Sequence, residues 1–577
     1  MPSGNFFAGR FGRHPRVSAS VKDQALIPFS LGATRTVAIL GISRGGEPGV
    51  PRAFTSPAEA AAVLRGGEIL DAINRCFDPS TESRGAQEVV AVPVNPATIA
   101  TLTVDDAGGQ DAAVINSLNW GLEENEIKIK IEAGTSFGKK VTLAKGPDLY
   151  VQDNVGRSAF SIQYIGAGSA ATATINGTTL TTAVTGGPGG ETLNIDLNVY
   201  NTVQKLVDRI LALSAAYTAV VLDANPNRVV LNGLDFITAQ DIRTVAFTVR
   251  ADLQAFVDSL ASGGWQPLVT ALRASGADAP PANIAYTYLA GGTAGTTLTS
   301  HWQAGFDALQ QKEIAFVVPV SGDAAIHAMA DAHCQLMSAD GKRPRRAFVG
   351  GVLGEKTPTL SNYLTRAQNL NSDRTALAVQ GVKGFDVNGL LTTYAPYIMA
   401  AQMAGLASGL DEIGDAITYK AVKATGLEWV PTASELEIGL AGSLLMVELA
   451  ENRGFFRVTR GVSTWRKDDG FHRVEISTGI ALDEVIRRVV DGLEVFIGKK
   501  ASPVLSFAIA SRTESILLSL AAQQIIVGTP AFRNIVVSIT GDTAAVQFEA
   551  SPVIPLNFIN VTINATLFQG SVTVAVA

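Results

Sequence analysis

Gly41-Ile42-Ser43-Arg44-Gly45 matches the G-x-S-x-G pattern, in which a sharp turn presents a serine oxygen for nucleophilic attack. That geometry needs a strand before the serine and a helix directly after it. Val37-Ala38-Ile39-Leu40 supplies the strand, but Glu47-Pro48-Gly49-Val50-Pro51 follows, and no helix can start there. His301, His327, His333 and His472 are the available bases, and nothing in their spacing selects one. The motif therefore reads as a turn after a strand, with a serine hydrolase using Ser43 as the enzymatic alternative. Gly45-Gly46 lacks the Lys-Ser/Thr of a phosphate-binding loop, and no dinucleotide-binding glycine pattern stands elsewhere. His327, Asp331 and His333 are close in sequence but project in different directions round a helix, so a solvated face is expected rather than a metal site. Cys76 and Cys334 belong to no Cys/His cluster and read as reduced thiols in a cytoplasmic setting. No catalytic, cofactor-binding or metal-binding residue is expected.

Lys342-Arg343-Pro344-Arg345-Arg346 is a genuine basic cluster. It suits a solvated loop or an ion-pairing contact with an acidic neighbouring subunit. A formal net charge of −7 gives no overall basic field for nucleic-acid phosphates. Apolar residues make up 47% of the chain and charged residues 17%, so long disordered regions are not expected. A length of 577 residues implies several folding units, about three to five. The N-terminus has Arg10, Arg13, His14 and Arg16 but no apolar stretch of the kind a secretion signal needs. The most membrane-like window, 390–410, is interrupted by Thr392, Thr393, Pro396, Gln402 and Ser408 and reads as a buried core helix in a soluble protein.

The elements that would carry these residues follow from periodicity. Residues 1–30 are rich in Gly, Arg and Ser and include an alternating Val17, Ala19, Val21 stretch, which suits an extended arm. A buried strand at Val37-Ala38-Ile39-Leu40 precedes a helix opened by Ser56-Pro57-Ala58-Glu59. There the serine oxygen caps, proline fits the first turn, and the glutamate can reach back to the cap amide. Gly66-Gly67 ends that helix, and Ile69, Leu70, Ile73 and Phe77 give the next one an apolar face. A second buried strand over 88–94 completes a β-α-α-β opening, the start of a mixed sheet covered by helices.

Residues 95–290 turn β-rich. Ile127, Ile129 and Ile131 alternate with Lys128 and Lys130, and Thr142, Phe160, Ile162 and Tyr164 mark further strands. A second insert begins near Gly166 with a glycine-rich loop over 186–190 and a helix carrying Val203, Leu206, Val207, Ile210 and Leu211. Its strands are expected over 219–222 and 228–231, with Asn225-Pro226-Asn227 as the turn. From Trp302 a helix to Gln311, a strand over 315–320, a helix to about Met337, a strand over 374–379 and an apolar helix around 394–410 restore the α/β alternation. Ile486, Val489, Val490, Leu493, Phe496 and Ile497 then recur at helical spacing, with Arg487, Arg488, Asp491 and Glu494 turned outward. Strands over 536–539, 544–548, 559–563 and 572–576 close the chain.

Taken in order, Val37-Ala38-Ile39-Leu40-Gly41 with Gly45-Gly46, Phe54-Thr55-Ser56-Pro57-Ala58-Glu59-Ala60 and Gly66-Gly67-Glu68-Ile69-Leu70-Asp71-Ala72 closely resemble the start of contractile tail sheath proteins of myovirus-type bacteriophages. Tyr164-Ile165-Gly166, Leu289-Ala290-Gly291-Gly292-Thr293 with His301-Trp302, and Arg346-Ala347-Phe348-Val349-Gly350-Gly351 look like further signatures of that family. So do Ala404-Gly405-Leu406, Arg460-Gly461-Val462-Ser463-Thr464 and Pro555-Leu556-Asn557-Phe558-Ile559.

The resemblance implies a structural subunit rather than an enzyme, working without a cofactor. Such subunits polymerise as stacked hexameric rings around a tail tube and contract from a metastable extended state, driving the tube through the host envelope during genome delivery. The sheath of an R-type bacteriocin or another contractile injection system is the neighbouring alternative. The implied partners are further copies of the chain, the tail tube protein, and baseplate and tail terminator proteins, with no nucleic acid and no membrane insertion. The implied location is the virion tail, after assembly in the host cytoplasm.

The implied fold is α+β and multidomain: an α/β, subtilisin-like sheath core with inserted β-rich domains and extended terminal arms. The expected divisions are an N-terminal arm (1–26), a first core part (27–94), a β-rich insert (95–165), a second α+β insert (166–289), a second core part (290–478), a C-terminal sheath domain (479–569) and a C-terminal arm (570–577). Family arms add strands to a neighbour's sheet, which makes Val17, Ala19, Val21, Val572, Val574 and Val576 the self-assembly candidates. Lys342, Arg343, Arg345 and Arg346 are the candidates for an intersubunit or tube contact. A low charge content also suits a subunit that buries much of its surface against neighbours.

Overall fold

A run of four or five Val, Ile, Leu and Ala residues without polar alternation can be a strand only where both faces are covered. In the computed structural model, which describes residues 5–7, 10–12 and 35–563 apart from 190, 262–263, 340–342, 357–358, 387 and 451–452, such runs form one central sheet. Phe316–Pro319, Arg346–Gly350 and Thr375–Ala378 run parallel, with Phe316 opposite Arg346 and Ala347 opposite Thr375, and every residue of all three is buried. Beyond Phe316–Pro319 the sheet continues with Val37–Gly41 and then Val89–Pro93, also wholly buried. The arm residues Val17, Ala19, Val21, Val572, Val574 and Val576, and Lys342 of the basic cluster, lie outside the described residues.

The chain divides into two units, one of Met1–Ile39, Asn74–Val90 and Leu309–Ala577, the other of Leu40–Ile73 and Ala91–Ala308. In the first, the helices Ala324–Ser338 and Ser361–Leu370 form the crossovers between the three parallel strands. The Asp323 side chain caps the former by accepting from the Ala325 amide at 2.8 Å. Pro396–Gly409 is apolar all round and buried from Ile398 to Ala407, as a helix without a polar face must be. Gly405 lets that helix approach the chain at Cys76, because a Cβ there would lie 2.2 Å from the Cys76 carbonyl oxygen.

The C-terminal part of this unit holds the helices Ile476–Leu493 and Pro503–Ala522 and an antiparallel hairpin, Phe532–Thr540 with Thr543–Ala550. They share a core of Ala481, Val485, Val489, Ile516, Leu517 and Leu520. The first helix begins ten residues before the apolar spacing reveals it, and Ile497, expected on its inner face, is 78% exposed. Arg487 and Arg488 do not point freely outward, since both pair with the buried Glu484.

In the second unit, Ser56 Oγ accepts from the Glu59 amide at 3.3 Å and starts the helix Pro57–Leu64, as expected. The Glu59 carboxylate reaches the amide of Thr55, one residue before the cap. Arg65 at φ 61° and Gly67 at φ 93° stop the helix. Residues 99–156 and 252–290 build one core from two antiparallel sheets. One has Asp111–Trp120 between Ile99–Asp105 and Val269–Arg273; the other is ordered Asp148–Val155, Lys139–Lys145, Lys128–Ala133, Ile284–Tyr288. Residues 158–251 build a second core, in which Ser158–Tyr164 lies between Tyr217–Val221 and Phe247–Arg250 and the helix Val203–Leu213 covers them.

The strand expected over 228–231 is absent; Val229 makes only an isolated bridge to Thr202. Arg228 turns back to Asp223, and Phe247–Arg250, unmarked in the sequence reading, takes the free side of the sheet. Residues 559–563 form no strand either, because among the described residues no strand lies beside them to complete a ladder.

Candidate functional site

Ser43 is 3% exposed, and its surroundings are those of a turn. Its amide and hydroxyl both donate to Asn95 Oδ1, at 3.0 and 3.3 Å, and Asn95 Nδ2 donates back to the Ser43 carbonyl at 3.1 Å and to the Ala294 carbonyl at 3.0 Å. An activated nucleophile needs a ring nitrogen or comparable base where this hydroxyl meets an amide oxygen. The described histidines have other partners. His301 Nδ1 accepts from the Leu298 amide at 3.0 Å, His333 Nε2 lies 2.7 Å from Arg345, and His472 sits on the short helix Phe471–Val474.

His327, Asp331 and His333 are buried, which corrects the solvated face expected for them. His327 Nε2 donates to the Ser321 carbonyl at 2.8 Å, while its Nδ1 faces Arg366 at 3.3 Å. Burial lowers its pKa to about 4, against the pull of the Ser321 carbonyl, so the ring is neutral at pH 7. Asp331 accepts from Thr375 Oγ1 at 2.6 Å and Gln335 Nε2 at 2.7 Å, tying this helix to the neighbouring strand. Among the described residues no group of three His, Cys, Asp or Glu side chains could hold a metal ion.

The basic cluster is largely internal. Arg345 is 0% exposed; its guanidinium donates to the carbonyls of Leu309 at 3.0 Å and Lys312 at 2.5 Å. Arg343 donates to the carbonyl of Gln310 at 2.6 Å, so the two arginines together cap the turn after the helix Thr299–Ala308. Burial lowers the Arg345 pKa to about 10, which still leaves it charged at pH 7. Arg346 turns the other way and pairs with Asp483 at 2.9 Å; Arg374 reaches the same carboxylate at 2.5 Å. Both Arg345 and Arg346 are therefore engaged within the chain, while Arg343 is half-buried and Lys342 lies outside the described residues.

What the chain does expose is apolar. On the C-terminal helices and the loop between them, Val495, Ile497, Val504, Phe507 and Leu518 face outward. Among the described residues Pro503–Ala522, not 390–410, is the helix long and apolar enough to cross a membrane, yet it packs on Ile476–Leu493 and on the hairpin. Phe507, Ala510 and Glu514 line a groove against Phe532, Arg533 and Ile535. The two hairpin strands pair only with each other among the described residues, which leaves two edges of backbone donors and acceptors open. After the hairpin comes a strap in which Leu556, Phe558, Ile559, Val561 and Ile563 are each at least 75% exposed. This surface was only partly legible: Pro555 to Ile559 stood out as a motif, but nothing in it marked which residues lack a partner.

No family model matches the chain. Full-length relatives do. It is 30% identical over 567 residues to a protein of Enterococcus phage phiEF24C assigned as a tail sheath protein, covering 95% of this chain and 96% of that one. It is 27% identical over 571 residues to the tail sheath protein of Bacillus phage SP01, covering 96% and 95%. The fold matches the crystal structure of a sheath tail protein from Desulfitobacterium hafniense with a TM-score of 0.54 at 13% identity, over 94% of this chain and all of that one. A sheath tail protein from Listeria innocua gives 0.52 at 11% identity, over 86% and 87%.

Proposed function

The chain belongs to the phage tail sheath protein family, a structural and non-enzymatic component of the virion tail, and from that premise we propose that it works by exchanging one set of subunit contacts for another. Copies stack as hexameric rings around the tail tube, held between the baseplate and the tail terminator. They contract from a metastable extended state and drive the tube through the host envelope. The parallel sheet with its crossover helices serves as a subtilisin-like core, the two β-rich lobes are insertions into it, and the terminal segments are arms that join neighbours.

The observation that carries this reading is the apolar C-terminal surface. Fully burying a side chain such as Leu, Ile or Phe is worth roughly 1.5–3 kcal/mol, so Leu556, Phe558, Ile559, Val561 and Ile563 hold a substantial unrealised gain until a neighbour covers them. Gains of this kind, multiplied over many subunits that switch together, supply the work of contraction without a nucleotide.

Negative-stain microscopy of the purified chain is expected to show rings, sheaths or tubular polymers. Removal of residues 1–26 or 570–577 is expected to abolish them while the circular dichroism spectrum stays that of the folded core. Tubes formed equally well by both truncated chains would remove the arms from the mechanism, and a chain that stays monomeric under all conditions would count against assembly itself.

A further inference from the structure

Two sequence signatures far apart in the chain meet at one buried carboxylate. Glu475 has a side chain 0% exposed and stands directly before the helix Ile476–Leu493. Its Oε1 accepts from Arg460 Nε at 2.6 Å and from Asn557 Nδ2 at 2.8 Å. Arg460 opens the Arg-Gly-Val-Ser-Thr motif, and Asn557 is the centre of Pro-Leu-Asn-Phe-Ile. Asn557 is also where the strap changes character, since it is half-buried and every described residue from Phe558 to Ile563 is exposed. Upstream, the strap is held through its backbone: the Val527 amide donates to Ser551 at 2.8 Å, the Val553 amide donates to Ile525 at 3.0 Å, and Ile526 bridges Pro552. Between Val553 and Asn557 no backbone hydrogen bond holds the chain among the described residues.

We propose that Arg460, Glu475 and Asn557 form a releasable anchor that gives the C-terminal strap two working lengths. The contact is incomplete as built: Glu475 Oε2 and Asn557 Oδ1 are both buried and have no hydrogen-bond partner among the described residues. An orphaned acceptor on each side offsets much of what the one charge-assisted bond contributes. Release of Asn557 also leaves no buried charge unpaired, because Arg460 stays on Glu475. The fixed point then moves from Asn557 back to Val553, which adds four residues, or about 13 Å of reach at roughly 3.3 Å per residue. A strap with two lengths lets a subunit stay joined to its neighbour while their separation changes. That use rests on the sheath reading; the anchor itself does not.

The test is made on the unassembled full-length chain. Chymotrypsin can cut after Leu556, whose side chain is 79% exposed, but its cleft must also accept Asn557, so cleavage there proceeds from the released form. Asn557→Ala, which removes the donor, and Asn557→Asp, which sets a second carboxylate against Glu475, are both expected to speed this cut by at least about ten-fold with the thermal midpoint unchanged. Cleavage of both variants within about two-fold of the parent rate would overturn the anchor. A parent chain that never polymerises would instead remove the sheath mechanism and leave this comparison intact.

Discussion

Asp483 is the carboxylate that Arg346 and Arg374 share, and its removal is a severe perturbation of the first unit. Its side chain is 11% exposed and accepts from Arg346, 5% exposed, at 2.9 Å and from Arg374, 16% exposed, at 2.5 Å. The Arg346 guanidinium has one further acceptor, the Asp373 carbonyl at 2.6 Å, which carries no formal charge. Burial already lowers the Arg346 pKa below its ordinary value, with Asp483 opposing that shift. Asp483→Ala removes the carboxylate that both cations bond and leaves them only the field of the Asp373 carboxylate, and breaking a buried pair in this way typically destabilises by about 3–5 kcal/mol. In a unit of about 325 residues, 1 kcal/mol moves the thermal midpoint by roughly 1.5 °C, so a fall of about 4–7 °C is expected by scanning calorimetry. Asp483→Leu combined with Arg346→Met and Arg374→Met replaces all three charged groups by apolar ones and is expected to recover most of that loss, because the destabilisation comes from the unpaired charge. A midpoint within about 2 °C of the parent for Asp483→Ala would show that these arginines find other compensation and would refute the reasoning.

Two further outcomes follow from the same packing. His327 has a pKa of about 4 against an ordinary 6.5, so the unfolded chain takes up the proton first. Stability is complete above pH 6.5 and falls as the pH drops through 4, by about 3 kcal/mol from this residue. His327→Gln should flatten the pH dependence of the midpoint between pH 7 and 4 by that amount, and parallel curves for the two proteins would rule out the assignment. Gly405→Ala sets a Cβ 2.2 Å from the Cys76 carbonyl oxygen and should destabilise the unit by about 1–3 kcal/mol in denaturant titration; a midpoint equal to the parent's would show that the helix can move aside.

Elements whose burial is complete were the most legible in the sequence. Val37 to Gly41, Phe316 to Pro319 and the helix after Ala395 announce themselves because a strand or helix with two covered faces has no reason to carry polar residues. Charged residues misled wherever their partners are remote. Arg345 and Arg346 look like a surface patch because nothing local shows that Leu309 and Lys312 offer carbonyls or that Asp483 stands 137 residues away. Asp331 is hidden for the same reason, since it bonds Thr375 on the neighbouring strand. Alternation misled where a ladder was missing, since 228–231 and 559–563 have strand-like sequences but no neighbouring strand among the described residues. The anchor at Glu475 escaped because its three residues come from three separate segments.

The strand order of the central sheet also bears on how the chain is made. Val37–Gly41 finds its neighbour in Phe316–Pro319, which leaves the ribosome about 275 residues later; at roughly 5–20 residues per second that is an interval of about 14–55 s. Throughout it, a strand that ends wholly buried has no sheet to join on that side, while the intervening lobes, each with its own core, are free to fold. The nascent chain thus carries an unfinished apolar edge for nearly half of its synthesis. Its vulnerable period is set by the length of the intervening lobes, and shortening them should raise the yield of folded protein before any change in the finished subunit's stability is seen.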